Sequence, residues 1–261
     1  YPDTGDAIQM LVDALREFGL ANKRIGYERN SYFFPAYQQD RIHTTLTDAK
    51  LLDCFGIVEQ GRICKSPAEI QLMRKAALAT EAGMQAGIDA CKAGVTENEI
   101  GAAISAAMFR AGGEPPAVMP YVTSGPRTMI GHATWEGRAV LPGEHIFLEV
   151  GGCYRRYHAP LCRTIFLGTP PDFLKRAEEA LLRGLEAGID MARAGNRACD
   201  VAEALADELG KSDIKRAARC GYPIGLSYPP DWGERTISFR RSDESVLLRT
   251  TRDERDEYRW W

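Results

Sequence analysis

Three absences narrow what this 261-residue sequence does. No run of about 18 apolar residues occurs, so no transmembrane helix is expected, and no basic-then-apolar leader opens the chain, so no secretory signal is expected. Lysine and arginine are scattered and the formal net charge is −3, which leaves no footprint for nucleic acid or anionic lipid. No C-x-x-C pair occurs among the seven cysteines, an odd number. Reduced thiols in a cytoplasmic protein are therefore expected, not a disulfide framework or a zinc site. What remains is a globular composition, 44% hydrophobic, long enough to bury a sizeable core and suited to a small-molecule substrate. Tyr1, not Met, opens the chain in what reads as a continuing fold, so a fragment is expected at the N-terminus.

Residues 1–62 read as a small α/β piece. An amphipathic helix is expected around Ala7 to Phe18, a strand at Arg24 to Glu28, a Phe-Phe-Pro break, and a second strand near Gly56 to Glu59. Tyr27, Tyr32, Phe33 and Phe34 are expected to pack, and nothing here carries chemistry. A strong helix start follows in CKSPAEIQLMRKAA. Ser66 caps it, Pro67 fits its first turn and Glu69 completes a capping box. Ile70, Met73, Ala77, Met84, Ile88 and Cys91 then fall on one face, so a long helix is expected to reach Gly94. A second capping box, Thr96 to Glu99, opens a helix ending at Gly112-Gly113.

AGVTENEIGAAI (Ala93 to Ile104) and AGNRACDVAEAL (Ala194 to Leu205) share a pattern at an offset of 195 − 94 = 101 residues. Each copy follows a long amphipathic helix, the second being Phe173 to Arg193, and each precedes strand-like sequence. Two helix-helix-strand units predict an α+β fold: a duplicated domain with helices packed on a curved antiparallel sheet. The last twenty residues, SDESVLLRTTRDERDEYRWW, are charge-dense and read as a solvated or disordered tail.

FLEVGGCYRRYHAPLCRT, Phe147 to Thr164, alternates like a strand hairpin and holds one carboxylate, Glu149, inside an apolar run. Such a group finds a partner, shifts its pKa or has a function. RICKSPAEIQLMRKAA, His132 in GHATW, LEVGGCYRRYHAPLCRTIFLG and GYPIGL together resemble the creatinase and proline-specific aminopeptidase superfamily, whose fold is the duplicated pita-bread domain. The resemblance runs from about Val58 to Arg240. It implies three segments: 1–62, the C-terminal part of a creatinase-type N-terminal domain; 63–241, a pita-bread catalytic domain, C-terminally incomplete; and 242–261, an atypical charged tail. Strands missing beyond Arg240 would leave an open sheet edge prone to association.

The superfamily's metallopeptidases hold two metal ions with two Asp, one His and two Glu. The resemblance places the first Asp on Glu149, the second on Pro160 and the His on Tyr222; the two Glu would lie beyond the point where this chain departs from the pattern. A two-metal site needs several carboxylates, so a metal-free site without a cofactor is expected. GYPIGLSYPPDWGERT with GGCYRRYHAPLCRT narrows the resemblance to ectoine hydrolases, which open a cyclic amidine. It implies a substrate of ectoine or hydroxyectoine, Glu149 as nucleophile or as activator of water, His132 as acid/base, and a homodimer. Tyr222 either donates a hydrogen bond to substrate or fills the former metal space. Trp232 either stacks on the amidinium or anchors its loop. Glu234 is either a second pocket carboxylate or a solvated charge. His158 lies on either face of the hairpin, and Arg163 supports it. Another creatine-like or proline-specific hydrolase and a non-catalytic binding relative stay open as alternatives.

Overall fold

The structure, a computed structural model, describes residues 3–216 and 218–248. Of the expected charged tail, residues from 249 onward lie outside them, while the start of it is not solvated: Val246 bridges to Arg197 and Leu247 is buried against Ala192 and Val201, because the short apolar run 246–248 lies against the second repeat. The chain divides into two compact units, one ending at Arg62 and the other beginning at Ile63.

In the first unit α1 (Ala7–Glu17) starts where the Asp6 carboxylate accepts from the backbone N–H groups of Ile8 and Gln9. β1 (Arg24–Tyr27) and β2 (Lys50–Asp53) pair in parallel, joined through α2 (Ala36–Thr45). The expected second strand is thus displaced. Lys50–Asp53 forms it because Leu51 joins the core of Ile8, Val12, Ile42 and Leu46, while residues from Ile57 to Arg62 form the short α3. Gly56, at φ +92°, sits in the turn between the two. The helix α2 escaped sequence reading because only Ile42 within it is buried. Tyr27 packs edge-on against Phe34 at 5.8 Å, whereas Tyr32 and Phe33 are exposed, so the expectation that all four aromatics pack holds for only part of the group.

The second unit opens with α4 (Pro67–Ala90), whose capping box between Ser66 and Glu69 forms as expected. α5 (Glu97–Arg110) opens with the Thr96–Glu99 box. An antiparallel sheet of β3 (Tyr121–Ser124), β4 (His145–Tyr154) and β5 (Tyr157–Phe166) packs on these helices in the order β3-β4-β5. A 3-10 turn, Gly125–Met129, follows β3. Ile146, Leu148 and Val150 alternate inward from β4 to meet Met84, Ile100, Ile104 and Met108; burying each such side chain stabilises by roughly 1.5–3 kcal/mol. The period of two then sends Phe147, Glu149 and Gly151 to the opposite face. Thr80 locks hairpin to helix, accepting from Gly152 N at 2.8 Å and donating to Ala159 O at 2.6 Å.

α6 (Asp172–Met191) and α7 (Ala198–Gly210) repeat the α4–α5 pair. Gly83 and Gly87 of α4 give room to Met108 and Ile104 of α5; 101 positions later Gly184 and Gly188 of α6 face Leu209 and Leu205 of α7. The turns repeat as well. Gly94 N donates to Val140 O and Glu97 N to Arg138 O, as Gly195 N does to Leu247 O and Ala198 N to Ser245 O. Where the first copy has its strands, the second has none among the described residues. The proline-rich GYPIGLSYPPDWGE segment forms only isolated bridges, Tyr157 with Leu226 and Ile224 with Gly233, because proline lacks the N–H a ladder needs. Among the described residues no helix is long and apolar enough to cross a membrane.

Candidate active site

The sheet face away from the helices carries the site. Tyr121 of β3, Glu149 of β4 and Cys162 of β5 are register partners and form one row across it. Glu149 is sheltered, with 16% of its side chain exposed, and its Oε2 lies 3.9 Å from His132 Nε2, whose side chain is 69% exposed. Among the described residues no hydrogen-bond donor reaches the Glu149 carboxylate. Burial therefore pushes its pKa above the ordinary 4.5, and the nearby His132 only partly offsets this. His132 itself stands at φ +59°, uncommon outside glycine although His is among the residues that enter that region. Its ring stacks on Tyr121 at 4.9 Å and 14°.

Trp232 closes the other side of the row. It is buried, meets Tyr121 edge-on at 6.0 Å and covers Gly151, where an added Cβ would come within 2.5 Å of its ring. Its Nε1 donates to Tyr222 Oη at 2.8 Å. The indole N–H is donor only, so the Tyr222 oxygen accepts and the phenol proton stays available. Burial holds both Tyr121 and Tyr222 above the ordinary phenol range, with the charge of Glu149 acting in the same direction. Arg219 lies over the Tyr222 ring at 4.4 Å, beside a cleft of ≈ 270 Å³ that both residues line.

His158 and Glu234 have other surroundings. By alternation His158, opposite Cys153, lies on the Glu149 face, which answers the question the sequence left open. It is fully buried, accepts from Ala117 N at 2.9 Å through Nε2, and has no hydrogen-bond partner at Nδ1 among the described residues. Burial lowers its pKa to about 4, so it is neutral at physiological pH. Glu234 is buried and paired with Lys65 Nζ at 2.6 Å; it also accepts from Leu226 N at 3.2 Å. Arg163 donates to Cys162 O at 2.8 Å, the carbonyl of its own neighbour in β5.

Sequence reading missed three groups near the site. Tyr121 and Arg219 carry no motif. Glu97 was read only as part of a helix start, yet it is fully buried and ties down the loop that bears His132.

Residues 71–249 carry the sequence pattern of metallopeptidase family M24. The chain belongs to that family. It is 40% identical over 234 residues to the ectoine hydrolase of Halomonas elongata, covering 85% of this chain and 58% of the relative. It is 33% identical over 247 residues to an uncharacterised hydrolase/peptidase of Sinorhizobium fredii, covering 93% of this chain and 62% of the relative. The chain thus spans about three fifths of the length of these M24 relatives. Among solved structures it resembles the X-Pro aminopeptidase of Thermotoga maritima, with a TM-score of 0.78 at 24% identity over 95% of this chain and 68% of that one. A prolidase of Thermococcus sibiricus superposes with a TM-score of 0.82 at 18% identity, over 95% of this chain and 66% of that one. These likenesses fix the fold, the duplicated pita-bread domain of M24 proteins.

The M24 name implies metal ions, and the donor set here does not fit them. Glu149 faces Cys162 in register, Gly151 faces Pro160, and the Tyr222 oxygen is engaged by Trp232. Among the described residues no three His, Cys, Asp or Glu side chains converge on one point. A pair of divalent ions needs several carboxylates in contact with both, and the row across this sheet presents one.

Proposed function

We propose that the protein is a hydrolase of the cyclic amidine ectoine or hydroxyectoine, working without a metal ion and yielding N-acetyl-2,4-diaminobutyrate from ectoine. The observation that carries this is Glu149, a sheltered carboxylate that no hydrogen-bond donor among the described residues reaches and that faces His132, in a chain similar to a named ectoine hydrolase. An amidinium is planar and cationic. A carboxylate not engaged by hydrogen bonds of its own pairs with it and is then placed to attack the carbon between the nitrogens.

The chemistry balances on two residues. A Glu149 oxygen bonds to that carbon while the C=N electrons move to nitrogen. One C–N bond then breaks, its electron pair leaving with the nitrogen, which takes a proton from His132 in its charged form. Neutral His132 next accepts a proton from water, the resulting hydroxide adds to the same carbon, and Glu149 departs as carboxylate. The hydroxyl proton passes to the freed amine. One water is consumed, and both side chains return to their starting states.

Tyr222, with its proton available, is the donor to the substrate in this reading. Trp232, with its N–H on Tyr222 and its face on Gly151, anchors Tyr222 and leaves stacking to the Tyr121–His132 pair. Glu234 holds Lys65, and His158 supports the 117 loop. The substrate's own carboxylate has its counterpart in Arg219, with which no carboxylate among the described residues pairs. Arg219→Gln is expected to raise KM by about 10- to 100-fold, the loss of one charge-assisted hydrogen bond, with kcat changed much less. An unchanged KM would remove Arg219 from the site.

The decisive assay incubates the purified chain with ectoine in the presence of a chelator and looks by mass spectrometry for a product one water heavier. Formation undiminished by chelator is the expected result. Activity that returns only with added divalent ion would overturn the metal-free part, and turnover of creatine or Xaa-Pro dipeptides in place of ectoine would move the protein to another substrate class. A cytoplasmic homodimer belongs to the same proposal. Seven free cysteines support a reducing compartment, and the resemblance to the creatinase superfamily supports the dimer. A sedimentation mass of one chain would remove the dimer.

A further inference from the structure

We infer that Glu97 is a positioning residue for His132, acting through Arg127 and the backbone of the 124–136 loop. The inference rests on the reading of His132 as the acid/base group. Glu97 is the first residue of α5 and is fully buried. Its Oε1 accepts from Ser124 N at 2.8 Å and Ser124 Oγ at 2.7 Å. Its Oε2 accepts from Arg127 Nη1 at 2.8 Å and from Glu136 N at 3.0 Å. Arg127 reaches onward, donating from Nη2 to Thr134 O at 2.6 Å and pairing with Glu136 at 3.1 Å.

These contacts fall on both sides of His132. Ser124 and Arg127 precede it; Thr134 and Glu136 follow. One carboxylate thus pins the two ends of the loop whose middle holds His132 at φ +59° over Tyr121, a backbone state that persists only where its surroundings fix it. Helix formation does not require this carboxylate. In the second repeat the corresponding residue is Ala198, which opens α7 with the same kind of backbone bond, Ala198 N to Ser245 O matching Glu97 N to Arg138 O. The repeat that lacks a catalytic loop has a methyl group where the first has four hydrogen bonds.

The stacked geometry supplies a readout independent of turnover. Protons on the His132 ring, 4.9 Å from the Tyr121 ring, lie in its shielding zone, so their resonance is expected upfield of an unstructured histidine; comparison with His132→Asn assigns it. Glu97→Gln keeps the volume but places an amide nitrogen against two donors at one end of the side chain. The expected result is a folded protein in which the His132 resonance moves to the unstructured position. In the same variant kcat on ectoine should fall about 10- to 100-fold, the scale of a misplaced reacting group, with KM changed far less.

Two further variants separate positioning from general stability. Arg127→Lys retains a positive charge near Glu97 but not the fork that reaches Thr134, and should move the resonance in the same direction by less. Ile104→Val loosens the α5 core without touching the loop, and should leave the resonance in place. A Glu97→Gln protein with its resonance and kcat unaltered would overturn the inference; so would an Ile104→Val protein that shifted equally. Should Glu97→Gln not fold, an unmoved resonance in Arg127→Lys would overturn it. If the parent chain does not hydrolyse ectoine, the resonance still reports whether Glu97 holds His132, so the two proposals fail separately.

Discussion

Glu149→Gln is expected to remove turnover of ectoine, with kcat lower by about 10⁴-fold or more, the scale seen when a nucleophile acting with its partner is deleted. The amide preserves the shape of the side chain in β4 and the core of Ile146, Leu148 and Val150 behind it, so the loss would report chemistry and not folding. The pH dependence follows from the same burial. Attack requires the ionised form, and the Glu149 pKa is raised, so kcat/KM of the parent should decline on the acid side at a pH above the ordinary carboxylate value. Stability runs the other way. A folded-state pKa above the unfolded one means the folded protein binds more protons between the two, so this group's contribution is fully present below the unfolded pKa and is lost as pH rises through the folded pKa. Glu149→Gln should therefore melt at a higher temperature than the parent at neutral pH, as expected for a site group strained by its task. Both outcomes are readable by the mass-spectrometric assay and a melting curve. A variant active within tenfold of the parent would place the nucleophile elsewhere.

The extent to which this was legible in the sequence follows the range of the interactions. The starts of α4 and α5 are capping boxes closed within four residues, so Ser66–Glu69 and Thr96–Glu99 declare themselves. The duplication was legible because Gly94 and Gly195 head matching patterns, and the structure extends the match to Gly83 with Gly184, Gly87 with Gly188 and Met108 with Leu209. β2 was misplaced because only one of its four residues, Leu51, packs on the core, and the ladder to β1 that selects it spans more than twenty positions. Lys65 and Glu234 are 169 positions apart, so no spacing rule could have joined them. Glu97 hid in plain view: TENE reads as a helix start, and only the folded chain brings Ser124, Arg127 and Glu136 to its carboxylate. Tyr121 was invisible for a related reason, because a four-residue strand gains its meaning only from the register that sets it beside Glu149.

His132→Asn should lower kcat by about 10²- to 10⁴-fold, the usual contribution of a positioned acid/base group. Asparagine is chosen because it tolerates positive φ, so the loop at φ +59° should keep its path and the effect should belong to the imidazole. The variant also separates the two proton transfers. Ring opening needs an acid for the departing nitrogen, and release of the intermediate needs a base for water. If His132 serves chiefly as the base, the variant should accumulate a Glu149 adduct, seen as an intact mass increased by one substrate after acid quench. If it serves chiefly as the acid, no adduct should build up and free ectoine should persist. His132 is well exposed while Glu149 is sheltered, so the imidazole can exchange protons with solvent between the two steps without uncovering the carboxylate. Turnover by His132→Asn at the parent rate would remove the imidazole from both steps and leave the proton traffic to the Tyr222 phenol, whose raised pKa keeps it protonated at neutral pH, able to donate but a poor base for water.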